Sequence, residues 1–290
     1  MRGGHELMQA FSAICATPAG GPAGAGEGAS FEIGVTPDWL QGKGAFGGLQ
    51  GAVAVRALRA AVGDGPPLRA LQMTFVAAAL PGPLRAEAEV LRRGRAMTHA
   101  SCTLRGDGQV VALLVGLFGE PRPSRAQLDM PVPAGLRCPA ELRETTFTPE
   151  VMPGFLAHFR QRWAAGAVPF TGQPVRPASL WARLREASPD QGPVPAALAG
   201  PRAREAGVVA LCDLPASPAL SLLESRAPGA SLTWLLELLA DPRGHDLADW
   251  LLMHTETRHA ADGYTSQTAR IWDERGRAVA VSHQTTAIFG

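Results

Sequence analysis

The sequence predicts an α+β fold of two tandem units, each with a long buried helix wrapped by an antiparallel sheet. A strand–turn–strand segment at residues 103–116 recurs at residues 271–284, and the turn glycines Gly108 and Gly276 are 276 − 108 = 168 residues apart. A repeat of this kind indicates a duplicated architecture. A nearly all-apolar helical segment also precedes a run of strand-like segments, an order typical of α+β proteins.

Composition excludes several classes of protein. The 290 residues are 46% hydrophobic and 18% charged, which is too apolar for disorder, and the net charge of +1 gives no basic field for nucleic acid. The four cysteines form no CxxC pair, so we expect reduced thiols and no zinc site. No apolar run approaches about 18 residues. We therefore expect a soluble, cytoplasmic protein without a membrane span.

The first half contains the elements of one unit. Leu7, Ala10, Phe11 and Ile14 recur at helical spacing and predict a short amphipathic helix. Residues 31–35 alternate like a strand, and residues 49–62 form a helix apolar on most sides, which is typical of a buried helix. Strands are predicted at 71–79, 84–92, 96–105 and 110–118, with glycine-containing turns between them.

The second half repeats this order with insertions. Residues 120–140 are rich in proline, and we expect an N-terminal unit at 1–122, a linker at 123–144 and a C-terminal unit at 145–290. A loop is predicted at 188–201, and a helix around Leu220–Glu224. The offset of 168 places Gly44–Phe46 opposite Cys212–Leu214, so both are expected at a helix N-terminus. Strands are predicted at 159–164, 179–185, 231–239, 249–259, 263–273 and 277–289.

An ordered series of short motifs across both halves resembles a known family. It comprises Gly47-Gly48 at the start of the buried helix, Pro81-Gly82, Leu211-Cys212-Asp213, Ala230-Ser231-Leu232-Thr233, Trp250-Leu251-Leu252 and the segment from Ile271 to Gln284. From about residue 5 to residue 290, the chain resembles the double-hotdog acyl-CoA thioesterases of type II and the wider thioesterase-like superfamily.

The resemblance implies a double hotdog and a water-activating trio in the second half. Asp213 and Gln284 match two positions of the trio, and the hydroxyl position falls on Ser231. Thr233 is a second candidate, because alternation along a strand would put it on the same face as Ser231. Gln284 replaces Gly116 of the first copy, and the small Gly116 is expected to leave space.

The backbone amides of Gly47 and Gly48 are expected to bind the thioester at a helix N-terminus. The family usually has a histidine before this glycine pair, where this chain has Phe46.

The resemblance implies a thioester hydrolase that converts an acyl-CoA into a carboxylic acid and CoA. With a reference pKa near 3.9, Asp213 would be ionised at neutral pH and could accept a proton from water. No metal or cofactor is required. Exposed sheet edges favour a homodimer or a larger homo-oligomer.

Other interpretations remain open at the level of the sequence. Asp213 could instead cap a following helix, and Gln284 could be an ordinary residue of an exposed strand. The chain could also be a non-catalytic acyl-CoA-binding or scaffold protein on the same fold. The hydratase branch of the hotdog proteins is disfavoured, because no histidine follows Asp213 within the next seven residues.

Overall fold

The computed structural model describes residues 8–18 and 28–289, in which eleven strands form one long antiparallel sheet and two short strands pair in a separate two-stranded sheet. In chain order the helices are α1 (Phe11–Ala16), α2 (Gly47–Val62), α3 (Ala196–Ala199) and α4 (Pro201–Cys212). The strands are β1 (Gly28–Val35), β2 (Leu40–Gln41), β3 (Gly44–Ala45), β4 (Leu68–Phe75), β5 (Gly82–Arg93), β6 (Met97–Gly106), β7 (Gln109–Gly119), β8 (Phe159–Ala165), β9 (Ala178–Leu184), β10 (Gly229–Leu238), β11 (Leu251–Ala261), β12 (Tyr264–Asp273) and β13 (Ala278–Ile288).

The sheet is a duplicated unit joined at its centre. Among the described residues, the strand order is β1-β5-β6-β7-β4-β10-β13-β12-β11-β9-β8. Strands β4 and β10 meet in the middle, where Trp234 lies opposite Met73 in antiparallel register. Outward from this junction, the two halves follow the same order, and β8 is an addition at the far edge. The fold is a double hotdog, as the sequence predicts.

The two long helices lie against one face of the sheet and pack against each other. Most apolar residues of α2 and α4 are fully buried, and they belong to one core that extends through both halves. Arg59 of α2 and Glu205 of α4 form an ion pair inside this core, with 1% and 0% of their side chains exposed. The core therefore unites the halves instead of filling each one separately.

The segment after β7 crosses the opposite face of the second half of the sheet. Its Leu142, Met130 and Leu136 pack with Trp181, Trp250, Leu252 and Trp272 in a second apolar cluster. The indole of Trp272 donates a hydrogen bond to the carbonyl oxygen of Met130 at 2.7 Å, and that of Trp181 donates to Arg137 at 3.0 Å. The unit boundaries proposed from the sequence stay a prediction.

The second long helix is not where the sequence predicts it. It spans Pro201–Cys212, which includes the end of the predicted loop, whereas Leu220 lies in a 3-10 helix at Pro218–Leu222. Pro201 suits the first turn of a helix, and Pro215 and Pro218 exclude its continuation. The starts of β7 and β13 keep the offset of 168 to within one residue (278 − 109 = 169), but the offset falls to 201 − 47 = 154 for the helices.

At the N-terminus, the observed helix begins at Phe11, and Leu7 lies outside the described residues. The short helix α3 lies within the stretch predicted as a loop at 188–201.

Candidate active site

The N-terminus of α2 lies beside the C-terminus of α4, because the two helices run antiparallel. A Cβ atom on Gly48 would lie 2.5 Å from the carbonyl oxygen of Ala210. At the other end of the pair, Arg202 at the start of α4 forms an ion pair with Asp64, just after α2. The glycine pair of the first half therefore meets the Asp213 region of the second half.

Asp213 is the C-cap residue of α4, not the first residue of a helix, so both its predicted location and its proposed N-cap role are wrong. Its carboxylate is buried and accepts hydrogen bonds from the side-chain amide of Gln284, at Oδ1, and from the backbone of Gly48. Burial raises the pKa of Asp213 to about 7, although both hydrogen bonds lower it. The expectation of a fully ionised carboxylate at neutral pH is therefore also wrong.

The glycine pair allows α2 to approach Asp213 closely. A Cβ on Gly47 would lie 2.6 Å from Oδ2 of Asp213 and 2.9 Å from the ring of Phe75. Contacts of this length essentially do not occur in folded proteins, so a side chain here would displace the Asp213 carboxylate, the Phe75 ring or the helix itself. The Gly48 backbone hydrogen-bonds Asp213. The role of Gly47 and Gly48 in binding the substrate stays a prediction.

Gln284 is part of a hydrogen-bonded chain of side chains on the inner face of the sheet. It lies on β13, opposite Trp234 of β10 and Gln267 of β12. Nε2 of Gln267 donates to Oε1 of Gln284 at 3.0 Å and to the carbonyl oxygen of Pro215 at 3.3 Å. Gln284, whose exposed fraction is 7%, is therefore not a residue of an exposed strand.

Sequence reasoning missed Gln267, and a β-bulge explains why. The register of β12 and β13 shifts between Ile271 and Trp272. Counting outward from the turn without this shift would pair Gln267 with His283, which faces the other side of the sheet. With the shift, Gln267 lies opposite Gln284. The sequence predicts the turn between β12 and β13, but no residue pattern in it indicates the bulge.

A second bulge separates the two candidate hydroxyls. The register of β10 and β13 shifts between Ser231 and Thr233, so Ser231 lies opposite Thr286 and Thr233 lies opposite Thr285. Residues directly opposite each other share a face, and successive residues of β13 alternate between faces. Ser231 and Thr233 therefore face opposite sides, contrary to the prediction, and only Ser231 shares the face of Gln284.

Ser231 lies opposite the residue of β13 that is two positions beyond Gln284, on the same face of the sheet. Its partner Thr286 is two residues beyond Gln284, a rise of about 7 Å along a strand. There, Thr286 and Thr265 share a hydrogen bond of 2.5 Å, and Ser217 donates to Thr265 at 3.4 Å. The structure thus brings Asp213 and Gln284 into contact and places Ser231 beside a row of hydroxyls.

Aromatic rings close the apolar side of the site. Phe46 is 1% exposed, and its ring stacks on Phe155 with a centroid distance of 4.0 Å. The same ring would lie 2.4 Å from a Cβ on Gly48, and Trp234 would lie 2.8 Å from a Cβ on Gly51. Phe46 contributes no polar group to this corner.

Gly116, the counterpart of Gln284, does not leave space. A Cβ on Gly116 would lie 3.1 Å from the Leu58 side chain and 3.2 Å from the ring of Phe118. Apolar side chains therefore occupy the corresponding place in the first half, and the expectation of open space there is wrong.

Two general features of the described residues bear on the chemistry. No group of three or more His, Cys, Asp or Glu residues is placed to hold a metal ion in this part of the chain. No helix in the same residues is long and apolar enough to cross a membrane.

In sequence comparisons, each half of the chain matches the model of a known protein domain. Residues 35–119 match the sequence model of the acyl-CoA thioesterase N-terminal domain, and residues 138–288 match that of the C-terminal domain. No curated protein matches the chain significantly.

Comparisons of structure find relatives over nearly the whole chain. A conserved protein with a hot dog fold from Alicyclobacillus acidocaldarius is 22% identical with a TM-score of 0.80, and the match covers 98% of this chain and 99% of that one. The tesB protein of Mycobacterium avium subs paratuberculosis is 16% identical with a TM-score of 0.74, over 97% and 98% of the two chains. Acyl-CoA thioesterase II TesB2 of Mycobacterium marinum is 15% identical with a TM-score of 0.66, over 90% and 93%. At these identities the likeness establishes the fold.

Proposed function

The chain belongs to the acyl-CoA thioesterase family, and we propose that it hydrolyses an acyl-CoA to a carboxylic acid and free CoA. The observation that carries this proposal is the contact between Asp213 and Gln284. A buried carboxylate whose pKa is raised to about 7 lies at the junction of the two halves, and a side-chain amide donates a hydrogen bond to it. A raised pKa in a buried polar site is typical of a functional group.

Asp213 is the proposed general base. In its ionised form it takes a proton from a water molecule while the water oxygen attacks the thioester carbonyl carbon. The tetrahedral intermediate then collapses and expels the CoA thiolate, which receives the proton from Asp213. A base is most effective when its pKa lies near the working pH, and a value of about 7 meets that condition.

Gln284 and Ser231 are proposed to orient the attacking water. A glutamine amide and a hydroxyl can each donate and accept a hydrogen bond, which suits a water held against a carboxylate. Ser231 is preferred to Thr233, because only Ser231 shares the inner face with Gln284. The amide of Gly47 at the start of α2 is the proposed donor to the oxyanion, because the Gly48 amide donates to Asp213 and Gly47 lies beside the same carboxylate.

Hydrolysis is tested by measuring thiol release from a panel of acyl-CoAs of different chain length. We expect CoA release by the wild type, and a loss of at least about 100-fold in kcat for Asp213→Ala, since general base catalysis contributes about 10²–10⁴-fold. The kcat/KM of the wild type should rise with pH to a plateau, with an apparent pKa near 7, because only the ionised carboxylate accepts the proton.

Glu237→Gln is the matched control, because Glu237 lies on β10 with half of its side chain exposed and contacts His283 on the outer face. It should retain wild-type turnover. Equal turnover in the wild type, Asp213→Ala and Gln284→Ala would contradict the proposed site. Saturable acyl-CoA binding without CoA release would instead favour the non-catalytic binding protein.

A further inference from the structure

We propose that Gln267 is a positioning residue that fixes the amide of Gln284 in the orientation required to hold Asp213 and the attacking water. This inference rests on the proposed function, because it assigns Gln267 a role in the same site. Gln267 lies on β12, is 4% exposed, and belongs to no motif that links the sequence to the family.

The side-chain amide of Gln267 has only one orientation that satisfies its neighbours. Its Nε2 lies 3.3 Å from the carbonyl oxygen of Pro215 and 3.0 Å from Oε1 of Gln284. A backbone carbonyl only accepts hydrogen bonds, so the NH2 group must face Pro215. Rotation of the amide by 180° would place an oxygen against two acceptors.

The orientation of the Gln267 amide determines the orientation of the Gln284 amide, and thereby which group of Gln284 faces the Asp213 carboxylate. Because Gln267 donates to Oε1 of Gln284, the NH2 group of Gln284 faces Asp213 and donates to Oδ1. Gln284 then has a second amide hydrogen for a water molecule beside the carboxylate. Without Gln267, Gln284 could rotate and present its oxygen to Asp213, which would repel an ionised carboxylate.

The duplicated half supports a functional role for this pair. Gln267 and Gln284 lie opposite each other on β12 and β13, and the corresponding positions on β6 and β7 are Ala100 and Gly116, which also lie opposite each other. Both hairpins have a register shift at the corresponding place, between Leu104 and Arg105 in the first copy. The same backbone therefore accepts two small residues, and the sheet itself does not require two glutamines.

Gln267 also carries an energetic cost. Its Oε1 is buried and has no hydrogen-bond partner within the described residues. An unsatisfied buried acceptor destabilises a folded protein, whereas an apolar side chain of similar length would not. This cost indicates that the two donors of Gln267 serve the site and not the stability of the fold.

The test compares kcat and its pH profile in the wild type, Gln267→Met, Gln284→Ala and the double variant, with acyl-CoA as substrate. Methionine keeps the approximate length of the side chain and removes its donors. We expect Gln267→Met to lower kcat about tenfold with little change in KM, the effect of losing one hydrogen bond at the transition state. In the Gln284→Ala background it should have no further effect.

The control is Thr255→Val, because Thr255 is a buried polar residue on β11 and its hydroxyl has no partner among the described side chains. It should keep wild-type kcat. Wild-type kcat in Gln267→Met alongside an impaired Gln284→Ala would overturn the positioning role. Losses that multiply in the double variant would also overturn it, since they would show that Gln267 acts independently of Gln284.

A second measurement does not depend on turnover and therefore separates this inference from the proposed function. The carboxyl carbon of Asp213 is titrated by NMR in protein labelled with ¹³C at aspartate. Gln267→Met should raise the pKa of Asp213 above its wild-type value, because the hydrogen bond from Gln284 weakens. An unchanged pKa would overturn the inference, whereas absence of CoA release by the wild type would overturn only the proposed hydrolysis.

Discussion

At Asp213, burial and hydrogen bonding have opposite effects on one carboxyl group. Burial favours the neutral form, and the hydrogen bonds from Gln284 and Gly48 favour the ionised form. Burial is the larger effect, so the pKa is raised to about 7. The protein therefore has a residue whose ionised form is costly in the folded state, a property more typical of a site than of a structural cap.

This cost predicts a pH dependence of stability. Because the folded-state pKa of Asp213 is raised above 3.8, its contribution to stability is complete below about pH 4 and is lost as the pH rises to about 7. A difference of about three pKa units corresponds to about 4 kcal/mol. Asp213→Asn should remove this contribution, so that its free energy of unfolding falls less than that of the wild type between pH 4 and pH 8.

The measurement is urea unfolding of both proteins at several pH values in the same buffers. Other carboxylates, such as Asp273 with its lowered pKa, stabilise the protein as pH rises, and they act equally in both proteins. The difference between the two curves therefore isolates Asp213. Parallel curves over this range would show that the pKa of Asp213 is not raised.

At the scale of the element, the start of α2 is a close-contact surface. Gly47, Gly48 and Gly51 lie where Cβ atoms would meet Asp213, Phe46, Phe75 and Trp234 at 2.9 Å or less. These contacts place the helix terminus against the carboxylate and against the aromatic rings. The glycines thus have a packing reason that is independent of any contact with a substrate.

Gly48→Ala should therefore be strongly destabilising. Its Cβ would lie 2.5 Å from a backbone oxygen, Ala210 O, which cannot move without shifting α4. We expect a loss of about 1–3 kcal/mol in the free energy of unfolding, the usual cost of overpacking. Denaturant unfolding measures it, with Gly65→Ala as the control because a Cβ on Gly65 has no atom within 4 Å. Equal stability of the two variants would contradict the close contact.

At the scale of the whole molecule, the two halves share one sheet and one core. The pairing of β4 with β10 continues the sheet across the junction, and α2 packs on α4 beneath it. The buried ion pair Arg59–Glu205 joins the helices, and Nε and Nη2 of Arg59 donate to the two carboxylate oxygens at 2.8 Å and 2.6 Å. The proposed active site lies at this junction, since Gly48 and Gln284 come from different halves.

Removal of one member of this ion pair should cost more than removal of both. Glu205→Leu leaves the Arg59 guanidinium buried without its carboxylate, and we expect a loss of about 3–5 kcal/mol. In the double variant Arg59→Met/Glu205→Leu no buried charge remains, so part of that loss should be recovered. Denaturant unfolding of the two single variants and the double variant gives the coupling energy.

The control is the exposed ion pair between Arg202 of α4 and Asp64, which lies just after α2. Asp64→Asn should change stability by less than about 1 kcal/mol, because solvent screens an exposed pair. Additive effects of Arg59→Met and Glu205→Leu would show that the buried pair does not couple the halves.

The repeat, the buried helix α2 and most strands are predictable from the sequence, because they follow from apolar patterns over neighbouring residues. The resemblance to the family proposes Asp213 and Gln284 as site residues, and the structure brings their side chains into contact. The predicted position of α4 is wrong, because a single offset cannot account for insertions of different length between elements. The apolar residues around Leu220 predict an α-helix that the structure does not contain, and Pro201, predicted as the end of a loop, is the first residue of α4.

The way in which the candidate site is assembled follows from the three-dimensional arrangement of the strands and helices. Two β-bulges determine that Gln267 faces Gln284 and that Ser231 and Thr233 face opposite sides, and a bulge changes the face of every residue beyond it. The raised pKa of Asp213 results from burial between two helices whose residues are far apart in the chain. Local patterns fix the elements, whereas register and burial depend on contacts between distant residues, which no local pattern contains.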